Sequence, residues 1–201
     1  MQAKFRSSLL RCLSNIHFLE RFYDTFMASS PEVRNAFAHS DMERQMAMLN
    51  ASLYQLMNLY EKRDDKARAF IQELGASHGK HGHQIPPALY DLWLDSLLKT
   101  VEECDAQYDA SIGQAWREVM SYGIGLMKSN WDAQPKTPRG AEPAIAPEEI
   151  QHLADRLKEL SQEASHRSDL ERDSEASAFQ FGQYRAYLHA SQVVHELLNK
   201  K

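Results

Sequence analysis

The sequence predicts an all-helical protein, and three observations carry that prediction. Gly and Pro together account for 15 of the 201 residues, which is low for a globular chain. Val, Ile and Thr number five, seven and three, too few for the β-branched positions that strands favour. Apolar residues recur at three- and four-residue spacing through most of the chain, which is the period of a helix. Apolar residues make up 43% of the chain, enough to close a core, so wholesale disorder is excluded.

The first helix is expected over about Ala3–Leu13. A second, from about Asn15, carries Phe18, Phe22, Tyr23 and Phe26 on one face. Ser30-Pro31-Glu32 restarts a short helix, with serine as the cap and proline at the first helical position, where its missing N–H costs nothing. Asp41 is the expected cap of the next helix, whose stripe is Gln45, Leu49, Ser52, Leu53 and Leu56. After the charged break EKRDDK, Phe70, Ile71, Leu74 and His78 share a helical face. Pro86-Pro87 opens a helix with Leu89, Tyr90, Trp93, Leu97, Val101 and Cys104 inward. The last helix of this body runs from about Tyr108 to Trp131, with Ile112, Ala115, Val119, Tyr122 and Leu126 along one side.

Four prolines then fall in QPKTPRGAEPAIAP. Proline fixes φ and removes a donor, so this stretch reads as an extended linker. The expected organisation is a body over 1–131, a proline-rich linker over 132–147 and a helical C-terminal extension over 148–201. In the extension, Ile150, Leu153, Leu157 and Leu160 form one stripe, and Phe181, Tyr184, Leu188, Val194 and Leu198 another. These helices are expected to pack on each other, on the body or on a second subunit, so a homodimer is among the arrangements expected.

Charge and composition exclude several partners. With 23 basic and 28 acidic residues the net charge is −5, and no basic footprint for nucleic acid exists. No apolar run approaches the ~20 residues that span a bilayer, and the N-terminal MQAKFRSSLLRCL lacks the continuous apolar segment of a secretory signal. Two cysteines, Cys12 and Cys104, make no disulfide framework. Both lie on helical stripes and are expected to be buried and inert. The expected setting is cytoplasmic.

Nine histidines are generous for this length, and three sit together in His78-Gly79-Lys80-His81-Gly82-His83. One reading is a solvated helix end whose imidazoles meet the C-terminal dipole. A second is a zinc site, since three imidazoles are ligands in number, but neither cysteine is near and no H-E-x-x-H is present. A third follows from His78 ending the apolar stripe of its helix, beyond Phe70 and Leu74. An inward imidazole needs a partner, and a haem iron is one, because imidazole is a common axial ligand in helical haem proteins.

A family resemblance strengthens the third reading. The segment from Phe22-Tyr23-Asp24-Thr25-Phe26 through Ser30-Pro31-Glu32 to Ala36-Phe37 resembles the second and third helices of bacterial haemoglobins. Leu74-Gly75-Ala76-Ser77-His78 followed by Gly82 is similar to that family's proximal-histidine segment, and Ala115-Trp116 looks like its last helix. The resemblance covers the body alone. It implies a globin-like helical sandwich that binds haem b, with His78 as the metal ligand to its iron. It implies that Phe37 packs on the haem face, and that Tyr23 and Gln45 are distal donors toward a bound gas. Leu49, Leu74 and Tyr90 would complete the cofactor-binding set. Without the resemblance, Tyr23 reads as an aromatic at the edge of the core and Gln45 as a solvent-facing helix residue. A rotation of its helix would bring Met42 or Met46 to the pocket in place of Gln45.

In this family a tyrosine at the place of Tyr90 works with a glutamate of the last helix to make the proximal imidazole more basic. Here that glutamate's place is held by Trp131, so the relay is incomplete unless Glu118 or another acid substitutes. His83 stands where the family often has a small apolar residue, and His81 lies one turn from His78, so either imidazole is placed to compete for the iron. The resemblance therefore implies reversible binding of dioxygen, nitric oxide or carbon monoxide. Nitric oxide dioxygenation would need an external reductase, since no glycine-rich dinucleotide loop is present. A third alternative is a gas or redox sensor that signals to a partner through the C-terminal helices.

Overall fold

The computed structural model describes residues 2–136, and these form seven α-helices: α1 (Gln2–Ser14), α2 (Phe18–Ser29), α3 (Pro31–Ala36), α4 (Met42–Lys62), α5 (Asp65–His78), α6 (Pro87–Cys104) and α7 (Ala110–Lys128). The chain divides into two units. The first is Met1–Leu9 with His17–Ala144 and contains α2 to α7; the second is Leu10–Ile16 with Ile145–Lys201, of which residues 10–16 are described. The expectations for the linker beyond residue 136 and for the extension lie outside the described residues.

Local chemistry sets the helix starts. The Ser30 hydroxyl accepts from the Glu32 N–H at 3.1 Å and Pro31 occupies the first position of α3. Asp41 accepts from the Arg44 N–H at the start of α4. Asp64, within the charged break, accepts from the Lys66 and Ala67 N–H groups and so begins α5. Asp109 accepts from the Ile112 N–H, which starts α7 two residues later than the sequence period suggests. A side-chain acceptor at each of these sites satisfies backbone donors that would otherwise lack partners. Similarly, α2 starts at Phe18 rather than Asn15, because the Asn15 N–H bonds back to Cys12 O and closes the end of α1.

Helix α2 lies against α6, and α5 lies between α4 and α7. Trp116 of α7 is fully buried, with the Phe5 ring edge-on at 4.9 Å and Phe18 at 6.4 Å. Its indole N–H donates to the Ser8 hydroxyl at 2.9 Å, and Ser8 in turn donates to the buried Asp105 carboxylate. Each polar group brought into this core thus has a partner, as burial demands. Two side chains differ from expectation. Tyr122 is 41% exposed and pairs with the Tyr60 ring at 6.0 Å. Cys104 is half-buried rather than buried, and its thiol pKa is raised by burial.

Candidate functional site

An apolar cavity of about 170 Å³ opens between α2, α4, α5, α6 and α7. Tyr23, Phe37, Gln45, Leu49, Leu74, His78 and Tyr90 all line it. Among the described residues no Asp, Glu, Lys or Arg side chain does so. The amphipathic stripes of the sequence therefore converge: each helix turns its apolar face to the core, and at this level the faces stand back from one another. Gln45 lines the wall with Met48 and Leu49, one turn on, while Met42 and Met46 do not. That fixes the register of α4.

His78 is the last residue of α5. Its Nδ1 lies 2.9 Å from Leu74 O and 3.3 Å from Ser77 Oγ. A carbonyl only accepts, so Nδ1 carries the proton and donates it to Leu74. The lone pair is therefore left on Nε2, and His78 is among the residues that line the cavity. Burial lowers the His78 pKa to about 4, against the Leu74 bond that raises it, and the nearby His83 lowers it further. The imidazole is therefore neutral at pH 7, which is the form that ligates a metal.

The position of α5 is set by close backbone approach to the end of α7. A Cβ on Gly75 would meet Met127 O at 2.6 Å, and one on Gly79 would meet Trp131 O at 2.3 Å. The Lys80 N–H donates to Trp131 O at 2.9 Å. Past the helix end the chain folds back: the His83 N–H donates to Ser77 O at 2.7 Å and the Ile85 N–H to His78 O at 2.8 Å. These bonds satisfy carbonyls that a helix terminus leaves open. His81 and His83 are exposed, and the His83 ring stands 6.2 Å from that of His78. Neither lines the cavity.

On the α2 and α4 side of the cavity, the Tyr23 hydroxyl donates to the Gln45 main-chain oxygen at 2.9 Å, and its ring meets that of Phe37 at 5.6 Å. On the α6 side, burial pushes the Tyr90 phenol up to about 12, and Lys128 Nζ sits 5.5 Å from its ring centroid. Glu118 does not complete a relay to His78, because it accepts from the Tyr60 hydroxyl at an exposed site. Position 131 contributes its main-chain carbonyl to the loop after α5. The sequence reading missed Met120, Ile124 and Met127, which also line the cavity. With Trp116 they form a helical stripe displaced by one or two residues from that of Ala115, Val119, Tyr122 and Leu126.

The globin family model matches residues 20–124. No curated protein matches the chain. Among solved structures, a Pseudomonas aeruginosa PAO1 protein described as structurally highly homologous to a human hemoglobin is 39% identical, with a TM-score of 0.61. The likeness covers 65% of this chain and 97% of that one.

Proposed function

The chain belongs to the globin family, and we propose on that premise that it binds haem b and reversibly holds dioxygen or another diatomic gas. The observation that carries this reading is the His78 imidazole, neutral and with Nδ1 committed to Leu74 O, at the wall of a cavity free of charged side chains among the described residues. That donor and that lining are of the kind that would hold the apolar face of a haem, with the His78 imidazole as the nitrogen donor to its iron. When bound, the haem iron supplies the open coordination position for dioxygen, nitric oxide or carbon monoxide.

The chain's own residues divide the remaining work. His78 Nε2 is the metal ligand. Leu49, Leu74 and Phe37 exclude water and offer apolar contact to the macrocycle, and Tyr90 closes the proximal side. Tyr23 and Gln45 are the distal donors. Tyr23 already gives its proton to the Gln45 carbonyl, so it serves a gas only by exchanging one hydrogen bond for another. Such an exchange is worth about 1 kcal/mol or less. His78 Nδ1 donates to a neutral carbonyl rather than to a carboxylate, which leaves the ring a weaker electron donor. This favours binding over peroxidase-like or dioxygenase turnover, for which an external reductase would supply electrons.

In this reading residues 1–131 are the gas-binding body of a cytoplasmic protein, 132–147 a linker, and 148–201 a helical extension that pairs with a second copy or a signalling partner. Among the described residues no helix is long and apolar enough to cross a membrane. The test is the absorption spectrum of the full chain after haem addition, first ferric, then reduced with dithionite, then under carbon monoxide. A five-coordinate ferrous spectrum that shifts sharply with carbon monoxide is expected. A six-coordinate ferrous spectrum unmoved by the gas would refute reversible binding.

A further inference from the structure

Among the described residues the cavity wall carries no Asp, Glu, Lys or Arg side chain. A formal charge that acts on a group held by His78 must therefore act from behind that wall. Tyr90 belongs to the wall and is buried, and the Lys128 ammonium lies over its ring, 5.5 Å from the centroid. Lys128 is the last residue of α7. The chain on one side of it abuts the helix that bears His78, Met127 against Gly75, and on the other side is pinned to the loop that follows that helix, where Trp131 O accepts from the Lys80 N–H at 2.9 Å. The cation–π seat and these backbone contacts hold the charge beside the proximal wall. Lys80, in the loop after α5, has Asp132 at 3.9 Å.

Protein screens a charge less than water does. An iron centre carries one more positive charge in its ferric state than in its ferrous state, so a fixed cation nearby disfavours the ferric form. We propose that Lys128 is a tuning residue that biases a haem iron held by His78 toward the ferrous state, acting through the Tyr90 side of the pocket. The inference rests on the haem reading above and adds to it the residue that sets the redox balance. No covalent step is involved, and the electron comes from the electrode or reductant used in the measurement.

The experiment is spectroelectrochemical titration of the haem-loaded full chain and its K128R, K128Q and K128E variants, at low and at high salt. Haem stoichiometry and the Soret band are recorded first. Arginine should retain the wild-type midpoint. Glutamine should lower the ferrous-to-ferric ratio about twofold at fixed potential and glutamate about fourfold, or about 18 and 36 mV at ~59 mV per tenfold. High salt should compress the differences, since Lys128 is exposed and its field is screened there. A merely structural role would not order the shifts by charge. Unchanged midpoints, or equal shifts for glutamine and glutamate, overturn the proposal while leaving haem binding intact. A chain that takes up no haem fails at the loading step, overturning both the haem reading and the proposal that rests on it.

Discussion

Replacing Gly75 with alanine tests the packing that positions His78. The new Cβ would lie 2.6 Å from Met127 O and 2.7 Å from its Cα, where ordinary contact begins at 3.4 Å. Both obstructing atoms are backbone, so no rotamer change relieves them, and α5 and α7 must part. Overpacking of this kind costs about 1–3 kcal/mol, and a rigid obstacle places it near the upper end. Against that, alanine for glycine inside a helix returns about 1 kcal/mol, for a net loss of about 2 kcal/mol. Gly125, on α7, provides the matched control, because a Cβ there meets nothing within 4 Å. The same substitution at 125 should stabilise by about 0.5–1 kcal/mol. Urea unfolding of the full chain, followed by tryptophan fluorescence, reads both. At an m-value of about 2 kcal/mol/M the Gly75→Ala midpoint should fall by about 1 M and the Gly125→Ala midpoint should rise. A Gly75→Ala protein as stable as the wild type would refute the argument that close backbone approach fixes α5.

Three further outcomes follow from named contacts. Ser8→Ala strands the Trp116 N–H and removes a donor from Asp105 inside the core, which should cost about 2 kcal/mol. Ser111→Ala, at an exposed contact with Lys4, should cost less than ~0.5 kcal/mol, and equal losses in urea melts would contradict the burial argument. For His78, the folded pKa of about 4 lies below the ordinary 6.5, so above pH 6.5 neither folded nor unfolded chain holds the proton. As pH falls from 6.5 to 4 the unfolded chain takes up a proton that the fold refuses, and the apoprotein should lose up to about 3 kcal/mol. Urea midpoints of wild type and His78→Leu across that window should diverge in slope; parallel lines would sink the claim. Tyr23→Phe should raise the dioxygen dissociation rate no more than about fivefold by stopped flow, because the phenol already has an acceptor in Gln45. A hundredfold rise would show that Tyr23 gives its full hydrogen bond to the gas.

Much of this was legible in the chain because its signals are local. Ser30-Pro31 and Asp41 mark helix starts through bonds to residues two or three positions on, and the stripe ending at His78 sets its face by period alone. The register on α7 was less legible. Ile112, Ala115 and Val119 face the core, but continuing that stripe reaches Tyr122, which is 41% exposed. The face that lines the cavity runs through Met120, Ile124 and Met127, and two adjacent apolar stripes on one helix cannot be ranked without knowing its neighbours. The roles of Tyr23 and Trp131 were hidden for another reason. Both act on main-chain partners, Gln45 O and the Lys80 N–H, and residue identity says nothing about which backbone atoms a fold brings together.

The central claim is that His78 Nε2 is an iron ligand, and haem titration with imidazole rescue tests it most directly. Full-chain wild type, titrated with haem, should saturate at one equivalent with a sharp Soret band. His78→Gly should lose that band and recover it when free imidazole is added, because the small ring re-occupies the vacated ligand position. A wild-type chain that never saturates, or a glycine variant with an unchanged spectrum in the absence of imidazole, would contradict the account.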